Sequence, residues 1–425
     1  MENLRALVLS RKPSLAIWLL FLLLLPVPLT AADSIHPGIW RLDGITPGLP
    51  SSDLEPLRKK IGKATVVAMG ESFHGSGGFL TAKHRIFRDL VERAGFRAIA
   101  LETPWSAADG LAAYVKSCSG SPEEALQNVD GLLQGAEVLE LVQWMCAWNR
   151  THKKAKDRLD LIGFDINQPE ADGPALTAFL ARIGVAADDP PAAGVQRCNG
   201  VSGPRAPRGQ VRAEDDAVCM EALDAIAQRF SSDSKNIIKR TSKTDFEWAK
   251  VRLVSLRSWQ LFSFYDGSDF RRADEERHWG MAYVLRAMQS LRLPKNTKLV
   301  AWAHNFHVSK APMENHGLAN TMGTFLSAML GSKYFVVGLI GWQVSYDQPG
   351  FCGTGRPPAP TSLEAKLHAL GEDHLLSDPK VESPVLDPGS ALPVSGFLIV
   401  PQDHYDAFVY LDESPRMTPV GRPPC

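Results

Sequence analysis

The sequence has almost no net charge: 46 Lys and Arg stand against 47 Asp and Glu, a formal charge of −1. That balance excludes the basic groove of a nucleic-acid binder and the polybasic face of a membrane-surface protein. Internal repeats and low-complexity tracts are also missing, so solenoids and disordered arrays are excluded. No Cys-x-x-Cys pair or mixed Cys/His ligand spacing occurs, which argues against a structural zinc. What is there is the composition of a folded protein, 44% hydrophobic and 22% charged over 425 residues. That is chain enough for one large domain or two modest ones.

The N-terminus reads as an export signal. Arg5, Arg11 and Lys12 form a basic region, "AIWLLFLLLLPVPL" (16–29) an apolar one, and Thr30 and Ala32 supply small residues for cleavage. The apolar run is short for a membrane span; an uncleaved anchor is the alternative. Residues 1–32 are therefore expected to be a signal peptide, 33–425 the folded domain, and the location secreted or periplasmic, with no stable membrane insertion after cleavage. All six cysteines, Cys118, Cys146, Cys198, Cys219, Cys352 and Cys425, lie beyond the signal. An even count in an oxidising compartment suggests disulfides. Of the 15 possible pairings, neighbours in sequence give Cys118–Cys146, Cys198–Cys219 and Cys352–Cys425; free buried thiols are the alternative.

Short apolar runs alternate with helical patterns. "ATVVAMG" (64–70), "FRAIALE" (96–102), "LDLIGFD" (159–165), "KLVAWAH" (298–304) and "YFVVGLIGW" (334–342) have the continuity of strands covered on both faces. "GFLIV" (396–400) and "YDAFVYLD" (405–412) read as later strands. Between the early strands, 77–94 and 136–150 carry apolar residues at helical spacing. The expected fold is α/β, a mainly parallel sheet flanked by helices, with residues 213–292 as a long helical insertion or cap. Residues 184–212, rich in Pro, Gly and Ala, are expected as an exposed excursion.

Charged and imidazole residues gather at the expected strand ends. Glu71 and His74 follow the first run, Glu102 ends the second, Asp165 ends the third, and His304 and His307 follow the fourth. A parallel sheet delivers all these loops to one edge, where ligands bind. A serine elbow is missing: Ser72 is flanked by Gly70 and His74 rather than two glycines. No cysteine sits at a strand end, so a Cys–His mechanism is not supported. "GSGG" (75–78) is not followed by Gly-Lys-Ser/Thr, which weakens a phosphate cradle. His-x-x-x-His metal spacing is absent too, although Glu and three His could still meet around a metal. The other option is acid–base chemistry on water, with a histidine as base and Glu71 and Glu102 as orienting carboxylates. Asp165 reads as a helix cap, His84 as a surface or capping partner and Trp302 as core.

These residues carry a resemblance. "GESFHG" (70–75), "KHRIFRDLVERAGFRAIALE" (83–102), "GFD" (163–165), "RHWGMAYVL" (277–285), "WAHNFHV" (302–308) and "YDAFVYLDESPRMTP" (405–419) together resemble the erythromycin esterase family, in order over 64–420. The resemblance implies a hydrolase of carboxylic ester or macrolactone bonds, with a small-molecule ester or macrolide as partner and no cofactor or metal. It implies His74 as general base with Glu71, Glu102, His304, His307 and Arg85 as further catalytic residues; Arg277 and Trp342 are expected to bind substrate. His278 stands where the family usually has an acid. A signal peptide and six cysteines depart from a cytoplasmic drug-inactivating enzyme. A metal-dependent hydrolase and an inactive ligand-binding protein remain the alternatives.

Overall fold

The structure, a computed structural model, describes residues 33–313, 317 and 320–424. The expected signal peptide, 1–32, lies outside the described residues. Twelve strands occur among the described residues. They are β1 (Ser34–His36), β2 (Ile39–Arg41), β3 (Val66–Glu71), β4 (Phe96–Pro104), β5 (Asp160–Asp165) and β6 (Lys298–His304). After them come β7 (Tyr334–Gln348), β8 (Phe351–Thr354), β9 (His374–Ser377), β10 (Leu392–Val394), β11 (Phe397–Ile399) and β12 (Ala407–Ser414). The main sheet runs β5-β4-β6-β3-β7-β12-β9-β2-β1. Its six strands from β5 to β12 are parallel, and β9, β2 and β1 extend it antiparallel.

The continuous apolar runs follow from burial on both faces. In β3, Val66 and Ala68 face one core while Val67 and Met69 face the other; Ala98 and Ala100 alternate likewise with Ile99 and Leu101 in β4. Helices Gly77–Ala94, Asp109–Ser117 and Ala136–Thr151 cover the second face through Phe79, Leu111 and Leu141. The first face is covered largely by the insertion. Residues 213–292 form helices Ala213–Ser232, Ser234–Arg240, Lys243–Tyr265 and Phe270–Leu291. Leu223, Leu256 and Met281 from these helices join the same core as Val66 and Ala98. The insertion is thus a whole layer of the sandwich. A parallel sheet needs apolar cover on both faces, and on this one the insertion supplies it together with Leu176 and Leu180 of helix Pro169–Arg182.

Several segments differ from the sequence expectations. Residues 184–212 are not simply exposed: they contain helix Pro190–Val195 and bury Val195 and Cys198. The Cys198–Cys219 disulfide fastens this stretch to helix Ala213–Ser232. Cys118–Cys146 is also formed, and Cys352 is disulfide-bonded; its expected partner, Cys425, lies outside the described residues. "GFLIV" pairs as β11 with β10 in a separate hairpin, not in the main sheet. Strand β7 continues to Gln348, where β8 folds back on it. No helix among the described residues is long and apolar enough to cross a membrane.

Candidate active site

The sheet brings β3, β6 and β4 side by side although the chain visits them far apart. Glu71 pairs in register with His304, and Leu101 with Trp302, so Glu71, Glu102 and His304 emerge together at the carboxyl edge. The insertion of β6 between β3 and β4 makes this the place where connections diverge, the usual location of a ligand crevice in open α/β sheets. Gly70 lets the loop after β6 fold over β3. A Cβ there would lie 2.3 Å from Asn305 Oδ1.

The "GSGG" turn is a close packing contact. A Cβ on Gly78 would meet Ser414 Oγ at 2.4 Å, and the Gly77 N–H donates to the Pro415 carbonyl at 2.7 Å. The first turn of helix Gly77–Ala94 therefore leans on the chain leaving β12 instead of cradling a phosphate. Ser72 likewise has a backbone role, donating its N–H to Leu339 O at 3.0 Å.

His74 is held by Glu71, with Nδ1 2.8 Å from Oε1. Because the carboxylate accepts, Nδ1 carries the proton and the Nε2 lone pair is left over. Among the described residues no protein hydrogen bond engages Nε2, and the side chain is 21% exposed. The other Glu71 oxygen contacts the ammonium of Lys83, which also donates to Ala303 O at 2.9 Å and lies 5.0 Å from the Trp302 ring centre. Lys83 is fully buried. Burial holds its pKa well below the ordinary lysine value, with the charge of Glu102 opposing the shift. Sequence reading passed over Lys83; its signal was a lysine one helical face away from Glu71, beginning the "KHR" motif.

His304 is saturated. Nδ1 accepts the Phe306 N–H at 3.2 Å, capping helix Asn305–Val308, and Nε2 donates to Ser72 O at 3.1 Å. Burial, with the neighbouring His74 and His307, lowers its pKa to about 3. It is a neutral spacer whose ring centre lies 4.9 Å from that of His74.

Glu102 and His307 belong to a second group. Glu102 accepts the His304 N–H at 2.9 Å with one oxygen, and its other oxygen lies 3.0 Å from His307 Nε2. Burial by itself would raise the Glu102 pKa, but His307, His74 and Arg277 outweigh it and hold the carboxyl well below its ordinary range. Arg277 reaches His307 Nε2 at 3.2 Å, Asp165 at 2.7 Å and Glu102 at 3.6 Å. Its two terminal nitrogens are committed to these protein groups. Asp165, expected as a helix cap, accepts the Ile166 N–H at 2.7 Å and anchors Arg277. His307 Nδ1 lies 2.6 Å from His278 Nε2, and His278 Nδ1 lies 3.0 Å from Asp274.

Arg85 does not join these groups. Its terminal nitrogens bond Gly44 O, Pro50 O and Asp53 at 2.7–2.8 Å, clasping the segment before the first long helix. Lys83 and Arg85 are two positions apart, so about 200° of helix rotation separates them. His84 is buried rather than superficial, with its ring centre 5.6 Å from that of Trp144. Trp302 is core. Trp342 stands in the wall of a cavity of about 530 Å³ and stacks on His368 at 4.4 Å. Ser72, Phe73 and Tyr346 line the same cavity, so it opens beside the loop that carries His74. Among the described residues no three His, Cys, Asp or Glu side chains converge to hold a metal ion.

This fold and this edge of carboxylates and imidazoles are those of an α/β protein with a candidate active site at the carboxyl end of its sheet. More particularly, the sequence pattern of the erythromycin esterase family matches residues 91–414, and the chain belongs to that family. It is 23% identical over 290 residues to erythromycin esterase type I of Escherichia coli, covering 63% of this chain and 68% of that one. The putative hydrolase YbfO of Bacillus subtilis (strain 168) is 22% identical over 373 residues, 77% of each chain. Erythromycin esterase type II of Escherichia coli is 28% identical over 114 residues, 27% of this chain; the match spans only 26% of that relative's length. The fold is shared with a crystallised mutant of the erythromycin esterase EreC in its open conformation, at TM-score 0.71 and 20% identity, covering 89% of this chain and 98% of that one. A succinoglycan biosynthesis protein has the same fold, at TM-score 0.70 and 19% identity over 90% of this chain and 95% of that one.

Proposed function

We propose that this protein hydrolyses a carboxylic ester or macrolactone, with His74 Nε2 as general base for water. One observation carries the reading. Of the imidazoles His74, His278, His304 and His307, His74 combines a ring nitrogen that makes no protein hydrogen bond among the described residues with a side-chain exposure of 21%, against 0% for His278 and 8% for His307. A base needs a lone pair, and Glu71, held in place by its contact with Lys83, orients the ring and favours the imidazolium formed during reaction.

The step balances on these groups. Water adds its oxygen to the ester carbonyl carbon and gives one proton to His74 Nε2; the carbonyl oxygen becomes an oxyanion. Collapse breaks the bond to the alcohol oxygen, which takes the proton back from Nε2, and His74 returns to neutral. The acid and the alcohol leave, with one water consumed. The cavity beside the loop is large enough for a drug-sized substrate and presents the aromatic faces of Phe73, Trp342 and Tyr346. Family membership and the name-giving activity of the relatives support an ester or lactone of that size.

Incubating the purified protein with simple esters and with macrolides, and following gain of one water by mass, tests the reading. His74→Ala is expected to lose hydrolysis, and wild-type activity is expected to survive exhaustive chelation. A His74→Ala protein as fast as wild type would overturn it.

A further inference from the structure

Arg182, Arg252 and Arg292 meet at a cleft of about 330 Å³ beside helices Pro169–Arg182 and Lys243–Tyr265. The cleft shares no lining residue with the cavity beside the His74 loop. Two of the three arginines are spent: Arg182 bonds Asp245 at 2.7 Å, and Arg292 pairs with Asp109. Arg252 makes no hydrogen bond or ion pair among the described residues, and its Nε is cut off from solvent. A buried guanidinium nitrogen without an acceptor is costly, which makes this arginine the odd one of the three.

Trp248 and Arg252 stand four residues apart and so share one face of their helix. The Arg252 Cζ lies 5.8 Å from the Trp105 ring centre and 5.9 Å from that of Trp248. Arg292 approaches the same two rings at 5.5 and 5.2 Å. Aromatic rings offset part of a cation's charge, but they leave the guanidinium N–H donors without acceptors. Two carboxylates act on Arg252 from nearby, Asp172 and Asp245. Asp245 is spent on Arg182. Asp172 is fully buried and accepts the Ser255 hydroxyl at 2.5 Å; burial pushes its pKa up to about 8, so it is largely protonated at neutral pH. Arg252 is therefore the one unbalanced charge of the cleft.

We propose that this cleft is a second binding site, for a small organic monoanion: a carboxylate carried on a flat apolar body. A guanidinium grips a carboxylate through two parallel N–H bonds, and Arg252 has its donors unspent. The apolar body would lie against Trp105 and Trp248, with Phe179 and Ala178 completing the wall. One spare positive charge matches one carboxylate. A phosphate brings more negative charge than one arginine balances and nothing to lay against the tryptophans. Binding in this cleft is independent of ester hydrolysis at His74.

Calorimetric titration of the full chain with benzoate at pH 7 tests the site. Saturable binding is expected, with benzamide, which lacks the charge, and acetate, which lacks the ring, each about tenfold weaker or more. Arg252→Gln should weaken benzoate about 10–100-fold, and Trp248→Ala about tenfold. Because Arg252 gives up no hydrogen bond, the free Arg252→Gln protein should melt no lower than wild type. Benzoate should raise the melting temperature of wild type and not of that variant. His74→Ala should bind benzoate as wild type does; loss of binding there would place benzoate in the other cavity and overturn the proposal. No saturable binding, benzamide or inorganic phosphate binding as tightly as benzoate, or an Arg252→Gln protein that binds like wild type would each overturn it as well.

Discussion

Two buried ion networks begin on one helix, and only one of them has chemistry left in it. Lys83 leads to Glu71 and His74 and so to the carboxyl edge of the sheet. Two residues later, Arg85 leads the other way, to Asp53 and to the carbonyls of Gly44 and Pro50; Arg58 and Asp89 form an ion pair at 2.6 Å nearby. Both networks are buried, and charge pairing is as close in one as in the other. The difference is at the far end. The Arg85 clasp ends on backbone carbonyls that absorb its terminal donors, whereas the Lys83 line ends on a partly exposed imidazole with a free lone pair beside a cavity. Burial and pairing alone do not mark a reactive site; unspent hydrogen-bonding capacity next to open space does.

The contrast can be broken most severely at His74. His74→Ala is expected to lower kcat by about 10²–10⁴-fold with an unchanged melting temperature, checked by ester kinetics and thermal unfolding on one preparation. Arg85→Ala should do the reverse. It strands Asp53 in the interior and is expected to cost about 3–5 kcal/mol of stability by denaturant titration, while the protein that stays folded keeps its kcat/KM. Loss of kcat/KM in that folded fraction would join the two networks functionally.

A smaller effect separates them by pH. His84, beside the clasp, is held near pKa 4 by burial and then by Arg88, and burial does the same to His404. An unfolded histidine titrates near 6.5. Between those values the unfolded chain binds a proton that the folded chain refuses, so this stability is complete above about pH 6.5 and is lost as pH falls towards 4. The slope should be roughly 1 kcal/mol per pH unit for each histidine. Urea melts from pH 7 to 5 should show it, and His84→Phe should reduce the slope by one histidine's share while that of His404 remains. The smallest change is expected at the cavity wall, where Trp342→Ala should raise KM for a bulky ester about tenfold and leave kcat for a small one untouched.

Much of this was legible in the chain. The apolar runs at 64–70, 96–102, 159–165 and 298–304 became β3, β4, β5 and β6 because period and length suit strands buried on both faces. The strand-end acids and histidines then met at one edge for a topological reason. Short strands β1, β2 and β9 were not legible, since three or four residues carry too little pattern and their pairing depends on the neighbouring sheet. The "KHR" motif was found but its members could not be told apart. All three are buried, and only their direction around the helix separates Lys83 from Arg85.

The sequence by itself determined the residue types, their order along the strands and the sheet edge that receives them, because hydrophobic periodicity and parallel topology are properties of the chain. Only the tertiary structure decided which histidine is free. His74, His304 and His307 are alike on paper. One ring is capped by a backbone N–H and a carbonyl, one is tied between His278 and Glu102, and one is left with a lone pair. Two of the deciding partners, Ser72 for His304 and Glu102 for His307, lie more than two hundred residues away, and hydrogen-bond saturation at that range is fixed by packing, not by local spacing.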